Sequence, residues 1–247
     1  MLPITSRIPD NRGVPSSALT HTGYAYKASP YSSHTLLVKA LQAEGGGKRV
    51  LDVGCAGGYL GRILAERGYE VTGVERPGGY GDQVPQGIDL IEADLDKGLP
   101  PLPGKFSYAI CGDILEHLRD PGKVLGQIAQ ILEPGGLLIA SLPNSGNLYF
   151  RLMVLAGRFP QDDKGLFDRT HLHFYMWKGW RELFASAGFQ IEDRKCSGIP
   201  VGLAAPGWDG SAPVRVSEWL AYSAARLWPT LFAYQFVVTA SQAPVKR

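Results

Sequence analysis

The sequence has 247 residues, of which 45% are hydrophobic and 19% are charged, and its formal net charge is +2 at pH 7. This length can bury a complete hydrophobic core in one domain, and the near-neutral charge gives no electrostatic reason to expect a nucleic-acid partner. The three cysteines lie far apart and form no CxxC pair, so neither a disulfide framework nor a structural zinc site is suggested. A reducing cytoplasm is the expected location.

The first 30 residues are rich in Pro, Ser, Thr and Gly, and they are interpreted as a leader segment that precedes one domain over residues 31–247. The start of the chain lacks the apolar core of a signal peptide. No stretch reaches the roughly 18 apolar residues that a membrane-spanning helix needs. The sequence therefore predicts no membrane span, and it gives no indication of the oligomeric state.

Helical and strand patterns alternate along the first half of the domain. The predicted elements, in chain order, are a helix over 31–44, a strand over 49–53, a helix over 59–66, strands over 70–75, 89–92 and 106–111, a helix over 121–132 and a strand over 137–142. Strands that alternate with helices predict an α/β fold, in which a parallel sheet carries helices on both faces.

An insertion over residues 144–175 interrupts this alternation, and its helical part is predicted over 148–155. The remaining predicted elements are a helix over 177–187, a strand over 189–195, a Pro/Gly-rich connection over 198–213, a helix over 216–227 and a final strand over 231–241. The insertion follows the fifth strand, so we expect it to lie over the carboxyl ends of the strands, where ligands bind in open α/β sheets.

The first strand ends in a turn of small residues that leads directly into a helix. Gly54, Ala56 and Gly58 would let a ligand approach the backbone, and the helix N-terminus offers unpaired N–H groups. A pyridine-dinucleotide fingerprint, GxGxxG, would require glycine at Ala56 and at Tyr59, so it fails twice. A tight turn without a ligand is the alternative interpretation of this segment.

Acidic residues at the ends of the next strands favour a nucleotide-containing ligand. Glu75 ends the second strand about 20 residues after the turn, where an acid can accept hydrogen bonds from both ribose hydroxyls. Asp94 follows the third strand and can receive an adenine amine, and Asp113 follows the fourth. Each acid alone could be a solvated strand end, but three in succession are less readily explained in that way.

These segments resemble the class I S-adenosylmethionine-dependent methyltransferases. The matching stretches, between about residues 50 and 189, are VLDVGCAGGYLGRIL, VTGVE, EADL, LEHLRDP, ILEPGGLLIASLPN and LFASAGF. The family's turn is GxGxG after a strand that carries an acid, and here Ala56 replaces the middle glycine. The resemblance implies a Rossmann-like, mostly parallel sheet of seven strands in the order 3-2-1-4-5-7-6, with the last strand antiparallel.

The resemblance also implies S-adenosylmethionine as methyl donor and S-adenosylhomocysteine as product. The expected cofactor-binding residues lie at the first four strand ends. They are Asp52, Gly54, Cys55, Ala56, Gly58, Glu75, Arg76, Asp94, Leu95, Cys111, Gly112 and Asp113. The stretches PNSGNLYFRLMVLAGRF and GLFDRTHLHFY resemble a bacterial subgroup linked with glycosyltransferases and polysaccharide synthesis.

Three histidines are candidates for the base that removes a proton from a hydroxyl acceptor, because the pKa of imidazole lies near neutrality. His117 follows the fourth strand, and His171 and His173 lie in the insertion. If the segment that carries them is extended, His171 and His173 face one side and Leu172 faces the other. The alternative for each is a packing or orienting histidine.

The spacing of His171 and His173, with Asp168 nearby, resembles part of a metal site, but no further motif completes the ligand set. We therefore predict no metal. Seven aromatic residues of the same region predict a small hydrophobic core under a long loop, or else a wall for a sugar or lipid-like acceptor. They are Tyr149, Phe150, Phe159, Phe167, Phe174, Tyr175 and Trp177.

The function favoured by the sequence is methyl transfer to a hydroxyl oxygen of a small molecule or sugar-containing glycan precursor. Two alternatives stay open. One is N- or C-methylation in natural-product metabolism, and the other is a catalytically silent module that binds S-adenosylmethionine.

Overall fold

A computed structural model of the protein describes residues 29–81, 85–201 and 211–244. The expected leader lies outside these residues except for its last two positions, and much of the 198–213 connection lies outside them as well. The described residues form a sheet of seven strands in the order β3-β2-β1-β4-β5-β7-β6. The strands are β1 (Arg49–Val53), β2 (Glu70–Glu75), β3 (Asp89–Glu92), β4 (Phe106–Gly112), β5 (Leu132–Pro143), β6 (Phe189–Cys196) and β7 (Gln235–Gln242).

Strands β1 to β5 run parallel, and β7 pairs antiparallel with both β5 and β6. This arrangement confirms the predicted order and the antiparallel last strand. Val53, at the end of β1, is paired with Val74 on one side and with Cys111 on the other. The carboxyl ends of the central strands are therefore level, and the residues that follow them meet at one edge of the sheet.

Helices cover both faces of the sheet. They are α1 (Ser33–Ala40), α2 (Tyr59–Ala65), α3 (Pro121–Ile131), α4 (Leu148–Leu155), α5 (Trp177–Ser186), α6 (Ala212–Leu227) and α7 (Pro229–Phe232). Short 3₁₀ turns occupy Leu95–Lys97 and Leu115–His117.

Each face of the sheet has its own hydrophobic core. Because side chains alternate along a strand, Val50 packs with α1 and α2, whereas Leu51 packs with α3 and α5. The largest fully buried side chain is Trp180 of α5, whose indole N–H donates to the carbonyl of Pro143 at 2.8 Å. This bond satisfies the polar atom of an otherwise apolar core residue.

Two predicted strand boundaries were wrong. The final strand begins at Gln235, not at residue 231, because Pro229 begins a short helix and suits a first helical turn. Strand β5 begins at Leu132, earlier than predicted, because the Pro134–Gly136 segment is accommodated by a register shift between the pairs Phe106–Leu132 and Tyr108–Leu137.

Two helix boundaries also differ. The first helix is limited to Ser33–Ala40 and begins at the Ser32 cap, whose hydroxyl accepts the N–H of Thr35. The helix predicted over 216–227 starts earlier, at Ala212, since Pro213 suits its first turn. Among the described residues, no helix is long and apolar enough to cross a membrane.

Candidate functional site

A cleft of about 620 Å³ opens at the carboxyl edge of the central strands. Its walls are formed by the residues that follow β1, β2, β3 and β4 and by part of the insertion. Nine of the predicted site residues line it: Gly54, Ala56, Glu75, Arg76, Asp94, Leu95, Gly112, Asp113 and His117. One continuous space therefore joins the predicted cofactor residues to one of the three predicted bases.

The turn after β1 has the backbone conformation that its small residues suggested. Gly54, Ala56 and Gly58 have φ angles of 74°, 45° and 69°, in the region that favours glycine. A Cβ atom at Gly58 would lie 2.4 Å from the side chain of Pro85, so only glycine fits there. Gly58 shapes the turn from behind and is not part of the cleft wall among the described residues.

Glu75 is held against this turn by two backbone bonds. One carboxylate oxygen accepts the N–H of Ala56 and the other accepts the N–H of Arg76, both at 2.9 Å. Each oxygen keeps further lone pairs, so the carboxylate can still accept bonds from a ligand. The side chain is thereby oriented at the end of β2, where a ribose acceptor was predicted.

Asp94 lies at the neighbouring strand end and caps the 3₁₀ turn. Its Oδ1 accepts the N–H of Asp96 at 3.1 Å, and its Oδ2 lies 3.6 Å from Nζ of Lys97. Half of its side chain is exposed. Arg76 and Leu95 line the same end of the cleft.

Asp113 is fixed by strands β5 and β7 at the centre of the cleft. Its φ is 53°, its N–H donates to the hydroxyl of Ser141 at 2.8 Å, and Ser141 donates back to Oδ1. The amide of Gln235 also donates to Oδ1, at 2.8 Å, and Nε2 of the buried His34 lies 3.8 Å from Oδ2. The carboxylate therefore has a defined orientation at the end of β4.

Three predicted cofactor residues lie beneath the cleft instead of on its wall. Asp52, Cys55 and Cys111 are buried, and none of them lines the cleft. Burial raises the pKa of both thiols, so neither cysteine is a thiolate at neutral pH. Burial, with a further contribution from Glu75, raises the pKa of Asp52 to about 7.

His117 is the predicted base that reaches the cleft. Its Nδ1 lies 3.2 Å from the carbonyl of Thr170 and 3.0 Å from the Thr170 hydroxyl. The hydroxyl hydrogen of Thr170 is donated to Asp168 at 2.6 Å, so both Thr170 oxygens act as acceptors toward the ring. In the neutral ring these contacts place the proton on Nδ1 and the lone pair on Nε2.

Leu172 is 53% exposed, and the histidines on either side of it, His171 and His173, are less exposed. They have different surroundings. The His173 ring donates through Nε2 to the carbonyl of Leu118 at 2.9 Å and stacks on Tyr175, which indicates an orienting role. The His171 ring lies 4.7 Å from that of His117, and burial together with His117 lowers its pKa to about 4.

The aromatic residues of the insertion mostly form a small core, as expected. Phe150 and Phe167 stack with centroids 4.4 Å apart, and Leu166 packs with them. Tyr149 and Phe159 at its margin are half exposed. The alternative prediction, a wall for the acceptor, is not supported for this group, since none of these aromatic residues lines the cleft.

The sequence analysis missed several residues of the cleft. Tyr59, at the start of α2, lies on its wall and forms a 3.2 Å hydrogen bond with His34. Arg119 and Thr170 also line the cleft, as does His117. The position of Tyr59 directly after the turn was a usable signal, whereas nothing in the sequence placed Thr170 beside His117.

The three residues suspected of forming part of a metal site, Asp168, His171 and His173, do not come together as ligands. A different group does: one ligand atom each from Glu116, His117 and His171, all within 4.8 Å of one another. The structure therefore does not test the prediction of no metal at Glu116, His117 and His171.

Curated relatives match slightly less than half of the chain. The ubiquinone biosynthesis O-methyltransferase of Dechloromonas aromatica is 32% identical over 120 residues, which cover 46% of this chain and 52% of the relative. The enzyme of the same name from Xylella fastidiosa is 37% identical over 124 residues, which cover 46% and 49%. The chain thus spans about half the length of the curated relatives it matches.

Solved structures share the fold at low identity. An S-adenosylmethionine-dependent methyltransferase from Mesorhizobium loti has a TM-score of 0.56 at 22% identity, with 85% of this chain and 97% of that chain covered. Magnesium protoporphyrin IX methyltransferase from Synechocystis has a TM-score of 0.52 at 19% identity, with 85% and 80% covered. These likenesses show the fold alone.

The family model described as a methyltransferase domain matches residues 26–193, which is more than half of the chain and includes every strand that borders the cleft. The match confirms the resemblance to class I S-adenosylmethionine-dependent methyltransferases. It does not extend to the polysaccharide-linked subgroup. The chain belongs to the methyltransferase domain family.

Proposed function

We propose that the protein transfers a methyl group from S-adenosylmethionine to a hydroxyl oxygen of a small-molecule acceptor. The observation that carries this proposal is the continuity of the cleft. It has Glu75 and Asp94 at one end and a histidine with an available lone pair, His117, at the other.

The cleft suits the parts of S-adenosylmethionine. The oriented carboxylate of Glu75 would accept the ribose hydroxyls, and Asp94 with Leu95 would border the adenine. Gly54 and Gly112 would let the rest of the cofactor approach the backbone, and Asp113 would face its ammonium group. When bound, the cofactor supplies a methyl group on a positively charged sulfur.

In this proposal His117 receives the proton of the acceptor hydroxyl. Its Nδ1–H is held by Thr170, which leaves Nε2 as the proton acceptor. Asp168 fixes the Thr170 hydroxyl, so the ring is oriented through two successive contacts. A base positioned in this way contributes about 10²–10⁴ to the rate of a reaction that it assists.

We further propose a ring hydroxyl of the quinone-precursor type as the acceptor. The support is the name of the matched relatives, ubiquinone biosynthesis O-methyltransferases, together with three apolar side chains that line the cleft, those of Ile114, Leu118 and Leu172. A glycan precursor, suggested by the resemblance of the insertion, is the second acceptor class, and N- and C-methylation are further alternatives to be tested.

Cofactor binding can be tested with Glu75→Gln, which keeps the shape of the side chain and removes its charge. Titration calorimetry should show a dissociation constant for S-adenosylmethionine at least about tenfold higher, since charged hydrogen bonds to the ribose become neutral ones. Glu92→Gln is the matched control, because Glu92 ends the adjacent strand and bonds to Tyr80 outside the cleft. Equal affinities for wild type and Glu75→Gln would remove Glu75 from the site.

Methyl transfer itself can be tested with labelled S-adenosylmethionine and separate panels of dihydroxylated aromatic compounds, sugar nucleotides and amines. We expect label in the aromatic ethers, and about 10²-fold or greater loss of turnover in His117→Ala, with cofactor affinity retained. His173→Ala should retain most of its turnover, since His173 does not line the cleft. Transfer only to amines, or cofactor binding without any transfer, would refute the proposal.

A further inference from the structure

The 3₁₀ turn after β4 and the insertion bring three potential metal ligands together at the acceptor end of the cleft. Glu116 and His117 belong to the turn Leu115–His117, and His171 belongs to the insertion. One ligand atom from each lies within 4.8 Å of the other two. The set of two imidazoles and one carboxylate is a common one for zinc, iron, cobalt and other divalent transition metals.

The backbone holds the two segments in this arrangement. The carbonyl of Glu116 accepts the N–H of Leu172 at 2.8 Å and that of His173 at 3.2 Å. The insertion is therefore hydrogen-bonded to the backbone of Glu116, whose side chain supplies the carboxylate. Two segments more than 50 residues apart in the chain form one rigid cluster.

Each imidazole presents a nitrogen suited to a metal. The proton of His117 is on Nδ1, where Thr170 accepts it, so the lone pair is on Nε2. A ligand histidine with its other nitrogen bonded to a carbonyl is the usual arrangement around protein-bound metals. His171 adds the second imidazole, with its ring centroid 4.7 Å from that of His117, and contributes one ligand nitrogen to the cluster.

The charge around the cluster also favours a cation. The Glu116 side chain is 1% exposed, and its Oε1 lies 3.9 Å from Nε2 of His171. Asp113 and Asp168 act on His171 as further nearby negative charges.

We infer that Glu116, His117 and His171 form a binding site for one divalent transition-metal ion. His117 lines the cleft, so the coordination positions not used by the protein would face an incoming acceptor. The role in catalysis rests on the proposed function, whereas binding itself does not. A bound ion would hold an acceptor oxygen as the anion, with its proton released to solvent, and His117 would then be a ligand in place of a base.

A metal-binding experiment on the purified chain tests this inference without acceptor or S-adenosylmethionine. Protein treated with EDTA and desalted is titrated with Co²⁺, followed by visible absorption, and with Zn²⁺, followed by calorimetry. We expect about one equivalent of each ion to bind. His171→Ala and Glu116→Gln should weaken binding at least about tenfold.

His173→Ala is the matched control, because it removes a neighbouring histidine whose Nε2–H donates to the carbonyl of Leu118. Melting curves of each variant identify any that fail to fold, and His117→Ala provides a second test of the same site. Absence of stoichiometric Co²⁺ or Zn²⁺ binding to the folded wild type would overturn the inference. So would equal binding by wild type, His117→Ala and His171→Ala.

The catalytic role has its own readout. If the ion holds the acceptor, EDTA treatment should abolish methyl transfer while the affinity for S-adenosylmethionine is unchanged, and added Zn²⁺ or Co²⁺ should restore transfer. Full turnover in EDTA would refute the catalytic role. In that case the Co²⁺ and Zn²⁺ titrations would still test metal binding, and the assay with labelled S-adenosylmethionine would still test the proposed methyl transfer.

Discussion

Ala56 is the residue at which this chain departs from the turn of its family, and it retains the glycine-like conformation. Of the residues that the structure describes, only Ala56 and Asp113 have positive φ without being glycine, and both line the cleft. For an alanine this conformation costs about 1–2 kcal/mol. The N–H of Ala56 donates to Glu75, so the strained residue helps to orient the predicted ribose acceptor.

Ala56→Gly should therefore stabilise the folded protein, by about 0.5–1 kcal/mol after the greater backbone entropy of glycine in the unfolded chain is subtracted. Urea unfolding measures this difference. We expect the affinity for S-adenosylmethionine to remain within about twofold, because the N–H bond to Glu75 is retained.

Ala129→Gly is the control for that measurement, since Ala129 lies inside the regular helix α3. There the same substitution should destabilise by about 1 kcal/mol. A loss of stability in both variants would show that Ala56 is not strained.

At the scale of elements, the sequence predicted most of the sheet and less of what covers the cleft. The bounds of β1, β2 and β3 match the predictions, because each is a short run of strand-forming residues between turn signals. Gly54, Glu75, Asp94 and Asp113 could be placed because strand ends in a parallel sheet share one edge.

The part of the cleft around His117 was less predictable because it depends on contacts between distant parts of the chain. The bonds of Thr170 with His117 and of Leu172 with Glu116 join segments separated by more than 50 residues. No local pattern specifies such pairs. The distinction between His171 and His173 follows from those contacts and not from their shared spacing.

The start of helix α4 has a comparable long-range anchor at Asn147. Its Oδ1 caps the helix by accepting the N–H of Tyr149, and its Nδ2 donates to the carbonyl of Ala233, both at 2.9 Å. Asn147→Ala removes the cap and one of the two amide donors to the buried carbonyl of Ala233, which keeps its bond from Nδ2 of Asn144, so we expect a loss of about 2 kcal/mol in unfolding free energy.

Asp120→Ala separates the two effects, because exposed Asp120 caps α3 through the N–H of Lys123 and makes no comparable buried bond in the described structure. This control should lose only about 1 kcal/mol. Equal losses in the two variants, measured by urea unfolding, would mean that the bond to Ala233 contributes little.

At the scale of the whole molecule, one buried acid makes stability depend on pH. Asp52 lies in the interior strand β1 and is 2% exposed, and its Oδ2 has no hydrogen-bond partner in the described structure. Burial, then the charge of Glu75, raises its pKa from 3.8 to about 7, against the lowering effect of a bond from the Gly61 N–H. The folded chain thus keeps a proton that the unfolded chain releases.

Stability contributed by Asp52 should therefore fall as pH rises from about 4 to about 7, because in that window the folded state binds more protons than the unfolded state. Each pKa unit corresponds to about 1.4 kcal/mol, so the total is a few kcal/mol at most.

Asp52→Asn removes the ionisation and should flatten the curve of unfolding free energy against pH. The difference from wild type should grow through the window and level off above it, whereas Asp89→Asn, at an exposed strand start, should follow the wild-type curve. Parallel curves for Asp52→Asn and wild type would show that Asp52 ionises over the same pH range in the folded and the unfolded chain, so that burial does not raise its pKa.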